Sequence, residues 1–236
     1  MEKPTSKTPV SRCEELSLFS QTAMRSFTEQ PALIPYADAL ALATAPLVAA
    51  HAEVTVAVRG LLPVRVKVRF TEYFAEVGVR ALHKRAEAAD GKKDGKIAKA
   101  LFPNGLGPVV APTGPAQVKA MEELEGRLKA AGALWPQAAD ELVKVMALRT
   151  EYATAVDARR AGVLAAVAAR AQRTLNKEDF LDAYAKACAG VAGLFPRDRR
   201  LQNLFFDDLN TDSATGGGGG EEEPEGGGPP EPNVPG

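Results

Sequence analysis

Alanine holds 42 of the 236 positions, while isoleucine holds two, Ile34 and Ile97. Alanine heads the helix-propensity ranking, and here it is interleaved with Arg, Lys and Glu over long stretches, a pattern that reads as helix. Such a composition argues against an all-β sandwich. The two cysteines, Cys13 and Cys188, lie too far apart in sequence for a zinc knuckle and are too few for a disulfide framework. The expected fold is all-α, an elongated bundle of four to five helices.

Periodicity supplies the element boundaries. Residues 11–29 read as a short helix with Leu16, Phe19 or Ser20, Met24 and Phe27 on one side, interrupted by Pro31 and Pro35. From 38 to 59 the chain is rich in Ala, Leu and Val, and Pro46 suits the first turn of a helix. Residues 54–70 allow two readings. Val64, Val66, Val68 and Phe70 alternate with Arg65, Lys67 and Arg69 as in a strand, and Val54, Val56 and Val58 precede them across Gly60 and Pro63, as in a hairpin. On a helical wheel, however, Val66, Phe70, Phe74, Val77 and Ala81 share an arc of about 80°. Opposite them Arg69 with Glu72, Glu76 with Arg80, and Lys84 with Glu87 stand at pairing distance. A lone hairpin is marginal in water and no third strand follows, so helix is preferred, with Gly60 and Pro63 as a kink or break.

A polar break at 90–95 and a short apolar turn at 97–102 lead into a Gly/Pro-rich connector reaching Pro115. Thr113 or Gly114 then caps a helix whose buried face is Val118, Met121, Leu124 or Glu125, Leu128 and Ala131. Residues 137–174 form a long helical run with Leu142, Val145, Met146, Arg149, Tyr152, Val156, Val163 and Val167 at helical spacing. Asn176 can cap a fresh helix carrying Phe180, Tyr184, Cys188 and Val191, and a last helix at 198–209 packs Leu201, Leu204, Phe205 and Leu209.

Residues 11–210 are expected to form one helical domain between disordered ends. The first ten residues carry Pro4 and Pro9, and residues 211–236 hold nine Gly and five Pro in 26 positions. A segment of that kind buries too little apolar surface to offset the entropy of ordering it. The same tail holds six acidic residues and no basic one, so the other 210 residues carry 29 basic and 24 acidic groups, a net of +5. The formal charge of −1 averages two unlike parts.

Chemistry-bearing motifs are scarce. A di-iron bundle needs two Glu-x-x-His pairs, and the chain has only His51 and His83. His83 and Glu87 can share a helix face as two metal ligands, but they are one pair, and a surface histidine on a charged face is the preferred reading. Gly-x-Ser-x-Gly is absent, the Gly-Lys after Asp94 lacks the rest of a phosphate-binding loop, and Gly105-Leu-Gly-Pro lacks its third glycine. Cys188 sits on an apolar stripe as a core residue, and Cys13 lies in a segment expected to be mobile. No catalytic, cofactor-binding or metal-binding residue is assigned, and the chain is expected not to be an enzyme.

Residues 59–99 carry eleven Lys/Arg against five Asp/Glu. The candidate anion-contact face is Arg65, Arg69, Arg80 and Lys84, with a second cluster at Arg197, Arg199 and Arg200. Glu72, Glu76 and Glu87 fall among these cations on the wheel, and no aromatic side chains interleave with them, which is how a solvated, salt-bridged face reads. For the same reason a membrane surface is the weakest partner: no helix pairs a strongly basic face with exposed large apolar residues.

The runs Leu101-Phe-Pro-Asn-Gly-Leu, Asp182-Ala-Tyr, Leu194-Phe-Pro-Arg-Asp-Arg and Phe205-Phe-Asp-Asp-Leu, with the helix after Gln117, resemble a group of uncharacterised helical proteins from GC-rich bacterial genomes. The resemblance spans about residues 40–210. It implies a helical fold and carries no activity.

The expected function is therefore that of a non-catalytic helical interaction or scaffold protein that self-associates through an apolar helix face or binds another protein. The alternative is a polyanion or nucleic-acid binder whose basic face is modulated by the acidic tail. The first thirty residues show no apolar signal region, and the longest uncharged apolar stretch, 39–52, is shorter than the roughly 20 residues a membrane span needs. A cytoplasmic protein without a membrane span is the expectation.

Overall fold

The computed structural model describes residues 3–208. Among them every regular element is helical. Helix α1 (Val10–Ser26) leads through a 3₁₀ turn at Pro31–Leu33 into α2 (Ile34–Asp90). The short α3 (Lys96–Leu101) and α4 (Gly107–Val110) precede α5 (Pro115–Ala130). After a second 3₁₀ turn come α6 (Ala138–Leu194) and the short α7 (Arg199–Leu204).

The frame is a hairpin of α2 and α6, each 57 residues and therefore about 85 Å long. The pair is antiparallel: Tyr36 lies over Gly190, Leu61 over Gly162 and Leu148 over Gly78. Two cores cap its ends. At one end α1 covers the hairpin, with Leu16, Met24, Leu40, Phe180 and Tyr184 fully buried. At the other, α3 to α5 close over Val79, Leu82, Met121, Leu124 and Val145. Between them a small cluster of Val68, Tyr152 and Ala155 is buried, with Val118 of α5 packed against it.

The expected break at Gly60 and Pro63 does not occur, and Pro46 lies inside α2 rather than in a first turn. Each proline removes one backbone hydrogen bond. Both sit on the exposed side of the helix, where the orphaned carbonyls of Leu42 and Arg59 face water. The packing against α6 therefore runs on undisturbed beneath them. Asn176 likewise opens no new helix: its Nδ2 donates to the Pro46 carbonyl at 3.0 Å, tying α6 to α2. The expected N-cap residue instead clamps the hairpin, and Ala138–Leu194 is one helix.

As expected, Gly114 caps α5 at φ 60 with Pro115 following. The last helix is shorter than the expected 198–209: it runs Arg199–Leu204, the Asp198 carboxylate capping it by accepting from Leu201 N at 2.8 Å, and Leu204 is exposed rather than packed. Ser20, not Phe19, lies on the buried side of α1. The first ten residues are tied down from Lys3 onward, unlike the unordered segment expected: Pro4 is buried, and Lys177 Nζ donates to the Ser6 carbonyl at 2.7 Å. Cys13 is likewise wholly buried. Leu209 and the tail 211–236 lie outside the described residues.

Candidate docking face on the long helix

The wheel stripe Val66, Phe70, Phe74 and Val77 exists, but it points away from the core. Val66 is 52%, Phe70 59%, Phe74 53% and Val77 44% exposed. What α2 buries over the same turns is Val68, Thr71, Ala75, Val79, Leu82 and Ala86. At 100° per residue the exposed stripe lies within about 60° of the direction opposite Val68. Helix α2 thus has two apolar faces: a small-residue face that α6 and α3 can approach closely, and a large-residue face that none of the described residues covers.

The charges sort by the same geometry. Between residues 55 and 84 stand six Lys/Arg, all exposed, and two acids, Glu72 and Glu76. Glu72 turns toward the hairpin, where its Oε1 accepts from the Tyr152 hydroxyl at 3.3 Å, while Glu76 stands at the rim of the outward half, 3.7 Å from Arg80. Arg59, Lys67, Arg69, Arg80 and Lys84 fall within about 80° of the outward direction, around the apolar stripe. The outward half of this stretch therefore contains cations, aromatic rings and aliphatic side chains, with one carboxylate, Glu76, paired to Arg80 at its rim. The expected Glu76–Arg80 pair thus forms, but Glu72 turns to Tyr152, and the cations lie around the apolar stripe rather than opposite it. The expectation that no aromatic residue interleaves with them is corrected, since Phe70, Tyr73 and Phe74 do. The statement that no helix pairs basic residues with exposed large apolar ones is overturned with it.

Of the candidate anion-contact residues, Arg69, Arg80 and Lys84 belong to this face. Arg65 is exposed but points about 120° away from the outward direction, toward the Glu72 side. Arg197, Arg199 and Arg200 are exposed beyond the end of α6, near the level of Tyr36. That puts them about 35 Å along the hairpin from Arg59. The two clusters are not brought together.

Other groups offer little for catalysis. Burial pushes the thiols of Cys13 and Cys188 up, away from the reactive thiolate. Desolvation likewise raises Tyr152 and Tyr184 to about 12. Tyr152 is structural: its oxygen accepts from Gly114 N at 2.6 Å and fixes the start of α5. Glu141, in the first turn of α6, meets Arg85 at 2.6 Å and Lys144 at 2.8 Å, and these partners hold its carboxyl below the usual range despite desolvation. A pocket of about 290 Å³ beside α5 is lined by Pro103, Asn104, Val109, Glu123 and Arg127, and Arg127 is spent on the Leu101 carbonyl.

Sequence spacing found two members of one potential metal-ligand group and missed the third. His83 Nδ1 stands 3.6 Å from Glu87 Oε2, and the turn after α2 brings Asp94 to them, the three donors lying within 4.8 Å of one another. Asp94 adopts φ 52 after the left-handed Gly91, a return of the chain that residue spacing alone does not announce.

Fold and face together define a rod-like helical hairpin, capped at both ends and carrying an outward basic and aromatic stripe along its longest helix. No protein-family model matches the chain, and comparisons with curated proteins and with solved structures give no match either. The resemblance to uncharacterised bacterial helical proteins rests on the short motifs alone.

Proposed function

We propose that the chain is a non-catalytic interaction protein that docks an anionic partner on the outward face of α2. One observation carries the reading: between residues 55 and 84 five exposed cations surround an exposed apolar stripe, while of the two acids Glu72 turns inward and Glu76 only reaches Arg80 at the rim. Exposed apolar surface marks interaction sites, and a clustered surplus of cations selects an anion. The rigid hairpin holds both in one line about 38 Å long, from Arg59 to Lys84.

Self-association through the same stripe is the second reading, favoured by the helical spacing of Val66, Phe70, Phe74 and Val77, which suits packing against another helix. Charge opposes it, because two copies meeting on this face would bring five cations against five, with only Glu76 of each copy at the rim.

Heparin serves as a soluble polyanion probe. The full chain should lose affinity for it at least tenfold between low and moderate salt. Replacing Lys67, Arg69 and Arg80 together by alanine should cost at least tenfold at low salt, while replacing Arg197, Arg199 and Arg200 should cost less than twofold. Equal losses in the two triple variants, or none in either, would remove the assignment to α2.

A further inference from the structure

We infer that the anionic partner is a lipid bilayer surface, with α2 lying along it and its outward stripe set among the outer acyl chains. This rests on the reading of the α2 face as an anion-docking surface and names the partner. The composition of the stripe makes the choice. Leu62, Val66 and Val77 are exposed aliphatic side chains in line with Phe70 and Phe74. Aliphatic side chains gain nothing from phosphates or stacked bases, but they do gain from a hydrocarbon layer. A second copy would satisfy them and at the same time oppose the cations.

The flanks fit the same surface. Lys67 stands on one side of the stripe, with Arg69 and Arg80 on the other. Their long stems can run beside the apolar residues while the charged heads reach lipid phosphates. Tyr73, 61% exposed, sits at the edge of the stripe, where an amphipathic ring meets a headgroup layer. A surface-lying helix needs this combination of apolar face and basic rim and does not need to cross the bilayer.

The test uses the full chain and vesicles of phosphatidylcholine with and without phosphatidylserine. Co-sedimentation should be at least tenfold stronger with phosphatidylserine and should weaken in high salt. The Phe70→Ser/Phe74→Ser variant should lose at least tenfold with unchanged helical circular dichroism, since both rings are exposed. As a second readout, a Val66→Trp variant should shift its fluorescence to the blue on anionic vesicles, and a Leu164→Trp variant, on exposed α6 surface, should not. Absence of vesicle binding, with heparin binding still dependent on Lys67, Arg69 and Arg80, overturns the lipid assignment and leaves the docking face standing. Tight single-stranded DNA binding without vesicle binding overturns it in favour of nucleic acid. Loss of both vesicle and heparin binding overturns the lipid inference together with the reading beneath it.

Discussion

Val68 and Phe70 lie two residues apart on α2 and face opposite ways, Val68 7% exposed against α6 and Phe70 59% exposed to solvent. The same helix is amphipathic twice over. Its inner face is built largely from alanine, valine and threonine, which let two 57-residue helices approach closely. Its outer face carries the large side chains. A globular protein usually arranges these the other way round, with large apolar residues inward.

Stability should follow that division. The Phe70→Ser/Phe74→Ser variant should change unfolding free energy by no more than about 0.5 kcal/mol, as exposed substitutions do. Val79→Ala, fully buried against the second core, should cost about 2 kcal/mol. Urea unfolding followed by circular dichroism measures both. A large loss on removing the two phenylalanines would show that the outer face is covered within the folded chain.

Glycine substitutions separate the hairpin interface from its surface. A Cβ at Gly190 would collide with the Tyr36 ring, whereas one at Gly60 meets nothing within 4 Å. Gly60→Ala should therefore stabilise by about 0.5–1 kcal/mol through helix propensity. Gly190→Ala should destabilise by about 1–3 kcal/mol, overpacking outweighing the same propensity gain. Thermal unfolding should move the two melting temperatures in opposite directions, and a rise in both would refute the close approach of Tyr36.

Tyr152 and Tyr184 give a pH dependence at the alkaline end. Burial raises both from an ordinary value of 10.0 to about 12, so the folded chain holds protons that the unfolded chain releases. Their contribution is complete below about pH 10 and is lost as pH rises toward 12. Absorbance at 295 nm should show part of the tyrosine ionisation delayed until helicity falls. Full ionisation at pH 10.5 with helicity intact would contradict the burial. Tyr152→Phe, which leaves Gly114 N without its partner, should cost about 1–2 kcal/mol.

Helical class and the strongest stripes were legible from residue types. Phe180, Tyr184, Cys188 and Val191 keep helical spacing and are all buried, as are Met121, Leu124 and Leu128. Boundaries were less legible, because Pro46, Pro63 and Asn176 carry local signals that long-range packing overrides. Exposed prolines cost one hydrogen bond each, and the hairpin interface passes beneath them. The docking face was visible as a stripe but not as a surface: periodicity gives the angle between Val66 and Phe70, not which side α6 takes. An inner face of Ala75, Ala86 and Thr71 has little hydrophobic signal, so the larger side chains drew the assignment of the core. Asp94 joins His83 and Glu87 only through a chain reversal, which spacing does not encode.

The acidic segment 211–236 is expected to compete for the cations of α2. Ser17 meets Thr44 at 2.6 Å and Arg25 meets Asp38 at 3.0 Å, so α1 runs antiparallel to α2 and Arg12 lies near residue 49. Arg12 holds Asp207 at 3.1 Å and also the Asp208 carbonyl, which puts the root of the tail about 15 Å from the level of Arg59. Twelve residues separate Asp208 from Glu221, and the thirteen steps of chain between them can span at most about 45 Å. Removing 211–236 should raise heparin affinity at low salt several-fold and flatten its salt dependence. Unchanged affinity would rule the tail out as a competitor.

The most direct test of the docking face is light scattering behind size-exclusion chromatography, at low and at high salt, with and without small anionic vesicles. The account predicts one monomeric species at both salt concentrations, moving into the vesicle peak at low salt and leaving it at high salt. A salt-resistant oligomer that Phe70→Ser/Phe74→Ser returns to monomer, with no transfer to vesicles, would contradict it and give the outward face of α2 to a second copy of the chain.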